Sequence, residues 1–170
     1  VIPTVDEGAL RNVRPALAQA WRSFIDYNPR NGILAVATQL GEVLEIYNLK
    51  TVRMLCAWDR MVSRSFRCPG NMVFLRVSWG FSDVQVTDRA IYAVFHGRSF
   101  KDIVRDARNG INHPDSGQFI YVFSLAGKPL KRYVLDHYIC GISVDEQRGV
   151  IHATDVNEDE PILEYSIKTI

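Results

Sequence analysis

The sequence predicts an all-β protein made of repeated four-stranded antiparallel sheets, and three observations lead to that class. One pattern, a polar turn followed by an apolar strand, occurs three times, at residues 26–38, 86–96 and 144–155. These strands are apolar on both faces, as at residues 33–37, whereas a strand covered on one side alternates. Helical periodicity is nearly absent after the first residues. Repeated sheets that cover one another's faces are typical of β-propeller blades.

The predicted turns contain residue types that reverse a chain tightly. They hold the letters NPRNG at 28–32, TDR at 87–89 and DEQRG at 145–149, and Asn, Asp and Gly favour such turns. An aspartate recurs near each turn, and we expect all three to form structural Asx turns: Asp26, Asp88 and Asp145.

Comparing the three copies of the pattern also predicts the other strands of the repeated unit. A second apolar strand ends in an aromatic residue, then Asn or Ser, then an aliphatic residue, as at 47–49. A more polar strand comes next, for example VRMLCAW at 52–58, and its charge suits an outer edge. A short strand such as FSDVQVT at 81–87 stands between copies. The unit is therefore four antiparallel strands, inner to outer.

These units predict the organisation of the chain. We predict an N-terminal arm or blade remnant and then a segment of about three blades: the arm at 1–21, the segment at 22–170, and blades at about 22–60, 80–135 and 139–170. The third blade lacks an outermost strand, and a six-bladed ring needs roughly twice this length. The chain also begins at Val1 rather than Met. We therefore expect a fragment, half of a six-bladed propeller.

Composition and charge exclude several classes of function. The 170 residues carry 20 basic and 19 acidic side chains, a net charge of +1, so we expect no nucleic-acid partner. No stretch approaches the roughly 20 apolar residues of a transmembrane helix.

The cysteines, Cys56, Cys68 and Cys140, lack CxxC spacing. We expect buried free thiols, with one disulfide as the alternative in an exported protein.

Several long phrases of the sequence together resemble one known family. LEIYNLKT at 44–51, GFSDVQVTDRAIYAVFHGR at 80–98 and the stretch from IYVFSLAGK to GVIHATD at 120–155 carry the likeness. Their order and spacing are similar to the C-terminal half of TolB-like six-bladed β-propeller proteins of Bacteroidales bacteria. The resemblance implies a propeller fold and an exported protein, periplasmic or a cell-surface lipoprotein. It implies no catalytic residues.

One predicted loop is much longer than its counterparts. Residues 97–117 separate the second and third strands of the middle copy, and long loops in compact domains are often functional. We expect His96, Arg98, Arg105 and His113, in or beside this loop, to bind a ligand; a solvated lid of mixed charge is the alternative. The apolar spacing in FKDIVRDAR predicts a short helix within it.

A blade connector is expected to reach the same face as that loop. Asp136 and His137 belong to the phrase DHYICG, which joins two blades, so both approach the central channel. Together with Asp155, we expect them to bind a ligand at the loop face. Neighbouring residues on a strand point to opposite faces, which argues against a catalytic pair. His152 lies in an apolar strand, and we expect it to be a core histidine.

An acidic segment after the last apolar strand resembles the start of a calcium loop. Asp155 opens the spacing, but Glu160 stands where such a loop needs Gly and Ser166 where it needs a bidentate Glu, so an EF-hand is excluded. An acidic loop tip at residues 154–160 is the simpler interpretation of this segment. A calcium site built from several loops stays open.

The sequence contains no nucleophile elbow, phosphate loop, HExxH or redox CxxC motif. We therefore predict a non-catalytic ligand- or protein-binding module of the bacterial cell envelope, without a cofactor. It would bind through the loop face, the end of the sheets that carries the loops between second and third strands and the blade connectors. The alternative is a calcium-dependent hydrolase or lyase with its metal at the channel mouth. Bare blade edges would also allow two copies to pair.

Overall fold

The computed structural model describes residues 22–59, 78–111, 114 and 116–167. The predicted arm at 1–21, Cys68 and His113 lie outside the described residues. The described part of the chain is mostly strand, with one short helix.

The first sheet is a complete four-stranded unit. Its strands are β1 (Ser23–Asn28), β2 (Ile33–Thr38), β3 (Val43–Asn48) and β4 (Arg53–Asp59). They pair antiparallel in chain order. Gly32, in the β1–β2 turn, has φ +77°, a backbone conformation that the NPRNG turn needs and that glycine adopts without strain.

The second sheet repeats that plan, and the third has three strands among the described residues. The second contains β5 (Phe81–Val86), β6 (Ala90–Phe95), helix α1 (Phe100–Arg108), β7 (Gly117–Ser124) and β8 (Pro129–Ile139). The third contains β9 (Gly141–Asp145), β10 (Val150–Thr154) and β11 (Ile162–Ser166). Both sheets are antiparallel in chain order. The prediction of an all-β fold built from propeller blades is confirmed, and α1 confirms the predicted helix.

The core lies between neighbouring blades. One apolar layer joins the first blade to the second and includes Leu44, Ile46 and Phe95. The other joins the second blade to the third and includes Tyr92 and Ile151. Each layer is formed by two sheets packed face to face, which is how blades of a propeller bury their apolar surface.

Burial on both faces holds for the middle blade and not for the first. All six residues of β6 are buried, whereas in β2 the residues alternate between buried and half-buried. The expectation that residues 33–37 are covered on both sides is therefore wrong for the described part of the chain. The physical reason is position: β6 lies between two sheets, and β2 has one described neighbour.

Side chains of one blade bind the innermost strand of the next. Asp26 Oδ2 accepts a hydrogen bond of 2.7 Å from the Val86 N–H, and Asp83 Oδ2 accepts one of 2.8 Å from Ile142. Gln85 Oε1 accepts one of 2.6 Å from Val144. Innermost strands have an unpaired backbone edge, and these acceptors satisfy its N–H groups.

The prediction that three aspartates form Asx turns is correct for one of them. Asp145 accepts hydrogen bonds from the N–H groups of Gln147 and Arg148. Asp26 instead binds the next blade, as described above. Asp88 is exposed and accepts from Asn28 Nδ2 at 2.9 Å and Arg30 at 2.7 Å. Other side chains cap these two turns: Asn28 Oδ1 accepts from the Arg30 N–H, and the Thr87 hydroxyl accepts from the Ala90 N–H.

His152 is not a core residue. Its side chain is 38% exposed, and Nε2 lies 3.2 Å from Glu164 Oε2 on β11. It lies on the face of the third blade that turns away from the second, so burial is incomplete. Cys56 and Cys140 are free and half-buried. No described helix has the length and apolar character that a membrane span requires.

Candidate functional site

The connector between the first two blades is held at the loop face by both of them. Trp79 pairs with Leu40 of the β2–β3 loop, and Ser78 pairs with Ser99 before α1. Gly80 donates to the Gln39 carbonyl at 2.8 Å. A Cβ atom at Gly80 would lie 1.7 Å from the carbonyl oxygen of Gly41, so only glycine allows this approach.

Helix α1 is the main feature of the long loop, and it is capped and braced. The Ser99 hydroxyl accepts from the Asp102 N–H at 3.1 Å and donates to the Asp102 carboxylate at 2.5 Å, an N-cap arrangement. This hydroxyl is the main reason that the pKa of Asp102 is lowered. Phe100 stacks on Trp79, with ring centroids 5.9 Å apart. The helix is therefore fixed to the connector.

The predicted binding residues of this loop have different surroundings. His96 is 6% exposed, lies beside the Trp79 ring, and accepts from the Arg98 N–H through Nδ1 at 3.3 Å. Arg98 forms a short ion pair with Asp106, and its Nη1 is buried without a hydrogen-bond partner among the described residues. His96 and Arg98 therefore brace the loop and are poorly placed to meet a ligand from solution.

Arg105 differs from His96 and Arg98 because its side chain is 61% exposed. It forms ion pairs with Asp102 at 2.8 Å and with Asp106 at 3.2 Å. Lys101 and Arg108 on the same helix are exposed as well. Positions i, i+4 and i+7 share one face of a helix. We call these three residues the basic stripe; it lies on the solvent side of α1.

The structure brings together His137 and Asp155, two residues singled out from the sequence. His137 Nδ1 lies 3.5 Å from Asp155 Oδ2. Glu158 joins them, and one possible ligand atom of each of the three lies within 4.8 Å of the others. Glu158 was not singled out from the sequence; its position three residues after Asp155 in a tight loop was the available signal.

Asp155 is buried and held by its own loop. Oδ1 accepts from the Asn157 N–H at 3.0 Å and from Asn157 Nδ2 at 2.9 Å. Burial disfavours the charged carboxylate, but these hydrogen bonds and His137 outweigh it, so the pKa of Asp155 is lowered. The loop and His137 therefore favour the deprotonated carboxylate of Asp155. Residues 156–160 form the exposed acidic loop tip that was expected, whereas Asp155, at its start, is buried, with a side chain 5% exposed.

The side chain of Asp136 contacts Tyr165 and not Asp155, as expected because neighbouring residues on a strand point to opposite faces. Its Oδ1 accepts from the Tyr165 hydroxyl at 2.9 Å, and this bond is the first cause of its lowered pKa. Burial, and then the same bond, raise the pKa of Tyr165 to about 12. A groove of about 420 Å³ opens beside this pair, between β8 and β11, and its lining includes Tyr133, Val134 and Ile167.

Comparison with known proteins agrees with the fold. The family profile described as TolB-like 6-blade propeller-like matches residues 1–147. No curated protein sequence matches the chain.

Among solved structures the chain is similar to Hsv2 of Kluyveromyces lactis, with 13% identity and a TM-score of 0.36 over 86% of this chain and 38% of that one. It is similar to the Pan2 WD40 domain of Neurospora crassa at 8% identity and a TM-score of 0.31, over 86% of this chain and 50% of that one. It is also similar to BamB of Moraxella catarrhalis, at 12% identity and a TM-score of 0.28, over 77% of this chain and 39% of that one. The chain thus spans half or less of the length of these three proteins.

Proposed function

The chain belongs to the TolB-like 6-blade propeller-like family, and from that membership we propose that it is a non-catalytic module that binds a protein or ligand through its loop face. The observation that carries this proposal is the basic stripe of Lys101, Arg105 and Arg108 on α1. The stripe is exposed, and the helix that carries it is anchored through Phe100 and Ser99. A rigid, exposed, charged element is suited to recognition because little conformational entropy is lost on binding.

The charge of the stripe indicates the chemistry of the partner. Lys101 and Arg108 form no ion pair within the described part of the chain. Both side chains are exposed, so a second molecule can reach their positive charges. We propose that the partner presents acidic groups, which would raise the association rate and set the orientation of the complex.

A matched pair of charge reversals tests this proposal. Lys101→Glu with Arg108→Glu changes the loop face and leaves the ion pairs of Arg105 in place. Lys128→Glu with Arg148→Glu makes the same charge change in turns at the opposite end of the sheets. Quantitative co-purification from the native cells should lose a partner about tenfold with the first pair and keep it with the second. Equal effects of both pairs would refute recognition by the loop face.

The cell-envelope role is a separate part of the proposal. We propose an exported protein, periplasmic or a cell-surface lipoprotein, and the C-terminal half of a propeller of the Bacteroidales type, and the resemblance of the quoted phrases supports both. Fractionation of the whole protein with periplasmic and cytosolic markers is the test. Recovery with the cytosolic marker would contradict export.

A second candidate is a metal-dependent hydrolase or lyase, predicted from the sequence with calcium at the channel mouth. The observation that favours it is the approach of His137, Asp155 and Glu158. Hydrolysis of a panel of lactones and polysaccharides in the presence and absence of added calcium would test it. Activity that depends on calcium and is lost in Asp155→Asn would support the enzyme, and inactivity throughout would contradict it.

We also propose that two copies can pair through the bare blade edges. Ile25 on β1 and Ile162 on β11 are each 64% exposed, and both lie on end blades of the described array. Light scattering at rising concentration should show a mass approaching twice 19.3 kDa, and Ile25→Glu or Ile162→Glu should lower it. A monomer at every concentration would refute pairing.

A further inference from the structure

Three potential metal ligands come from two separate segments of the chain. His137 lies near the end of β8, Asp155 follows β10 directly, and Glu158 lies in the β10–β11 loop. The two segments meet where the connector between the second and third blades passes the β10–β11 loop. Ligands that come from different segments are brought together by the fold, and they differ from an acidic run along one stretch of sequence.

The central ligand is pre-organised. The Asp155 N–H donates to the Pro161 carbonyl at 2.8 Å and closes the loop, while Asn157 binds Oδ1 from two groups. These contacts leave Oδ2 facing the His137 ring. A carboxylate whose second oxygen is held by hydrogen bonds is the arrangement that outer-shell partners give to metal ligands.

The spacing of the ligand atoms fits one small ion. In a tetrahedral site with bonds of about 2.0–2.1 Å, two ligand atoms lie about 3.4 Å apart. His137 Nδ1 and Asp155 Oδ2 lie 3.5 Å apart, longer than a typical N–H···O hydrogen bond. The Glu158 carboxylate lies within 4.8 Å of both, and it is exposed, so a rotamer change can bring it closer.

The ligand types distinguish between metals. Calcium takes six to eight oxygen ligands, whereas an imidazole with two carboxylates suits zinc and its first-row neighbours. We propose that His137, Asp155 and Glu158 bind a divalent transition-metal ion, with zinc as the best fit. This inference deepens the second candidate function, whose residues it shares, by naming the ion. Because binding the ion requires no substrate, the titration can succeed where hydrolysis fails. Three protein ligands would leave a fourth position for water or a bound molecule.

The chain contains a natural control for this site. His152 and Glu164 also pair a histidine with a carboxylate, 3.2 Å apart, in the same blade. The group of three approaching ligands found among the described residues does not include them. Two ligands hold a divalent ion much less tightly than three, so His152→Gln should leave the metal affinity unchanged.

Calorimetric titration of zinc into the metal-stripped chain, with thiols blocked, tests the proposal. We expect one ion per chain and at least a tenfold loss of affinity in His137→Gln and in Glu158→Gln. Glu158 is exposed, so its substitution keeps the fold and the test remains decisive if Asp155→Asn is unstable. The same series with calcium should show much weaker binding.

Cobalt substitution supplies a second measurement that reports on the ligands. The visible absorption of the cobalt-loaded chain should indicate nitrogen and oxygen ligation without a thiolate charge-transfer band. Absence of zinc binding, binding unaffected by His137→Gln and Glu158→Gln, or an equal loss in His152→Gln would each overturn the proposal.

Discussion

At the scale of residues, single acceptors join neighbouring blades. Asp26 and Asp83 each accept a backbone N–H from the following blade. An aspartate close to a turn has the same sequence signature whether it caps its own turn or crosses to a neighbour. The sequence could therefore predict the turn after Asp26 and could not assign the side chain of Asp26 to the next blade.

Removing the first of these acceptors should destabilise the fold. Asp26→Ala leaves the Val86 N–H without its partner, and the loss of a hydrogen bond to a charged group costs about 1.5–3 kcal/mol. The matched control is Asp88→Ala, whose ion pair with Arg30 is exposed to solvent and therefore contributes little to stability. Urea unfolding of both variants measures the difference. Equal stability of the two would contradict the inter-blade role of Asp26.

The stabilisation from Asp155 should depend on pH. Its folded pKa is lowered, so the unfolded chain takes up the proton first as the pH falls. The contribution is therefore fully present above the unfolded pKa of about 3.9 and is lost as the pH falls through the lower folded value. The stability difference between the wild type and Asp155→Asn, measured by denaturant titration from pH 7 to 2.5, should shrink over the acid end. A difference that grows there would refute the assignment.

At the scale of elements, the long loop is a braced helix. The sequence predicted α1 correctly because the apolar residues within 100–108 recur with the 3.6-residue period of a helix. This signal is local and does not depend on contacts with other elements. Its anchorage on Trp79 could not be predicted, since the contact joins residues of separate elements. The same limit applies to Glu158, whose approach to His137 depends on how two blades pack.

Gly80 lets the loop-face connector pack closely against the β2–β3 loop. Gly80→Ala would place a Cβ 1.7 Å from the Gly41 carbonyl oxygen, so the connector must move and its bridge to Leu40 must weaken. We expect a loss of more than about 2 kcal/mol, in the range of severe overpacking. Gly141→Ala is the control, because its Cβ would meet side-chain oxygens at 3.3 and 3.4 Å. Thermal and urea unfolding compare them, and equal losses would contradict the contact.

At the scale of the whole molecule, stability comes from layers between neighbouring blades. The repeat in the sequence predicted the blades because each copy has the same strand order and turn chemistry. It could not show which faces of the end blades stay open, because covering them depends on neighbours that the repeat does not specify. The alternating burial of β2 is the consequence of that dependence.

A substitution in one layer should weaken its own blade first. Ile151 is buried between the second and third blades, and Ile151→Ala should cost about 2–5 kcal/mol. Hydrogen exchange should rise first in β9, β10 and β11, because contacts in repeat arrays are mostly with nearest neighbours. Val156→Ala, at a residue 68% exposed, should change little. Exchange that rises equally in the first blade would show a single cooperative unit instead.

We propose that this chain acts through its loop face. A photo-crosslinking residue at Arg108 on α1, compared in the native cells with one at Arg148 in the β9–β10 turn at the opposite end of the sheets, tests this proposal. We expect a discrete adduct from position 108 that position 148 does not give. An adduct from position 148 alone, or the same adduct from both, would contradict it.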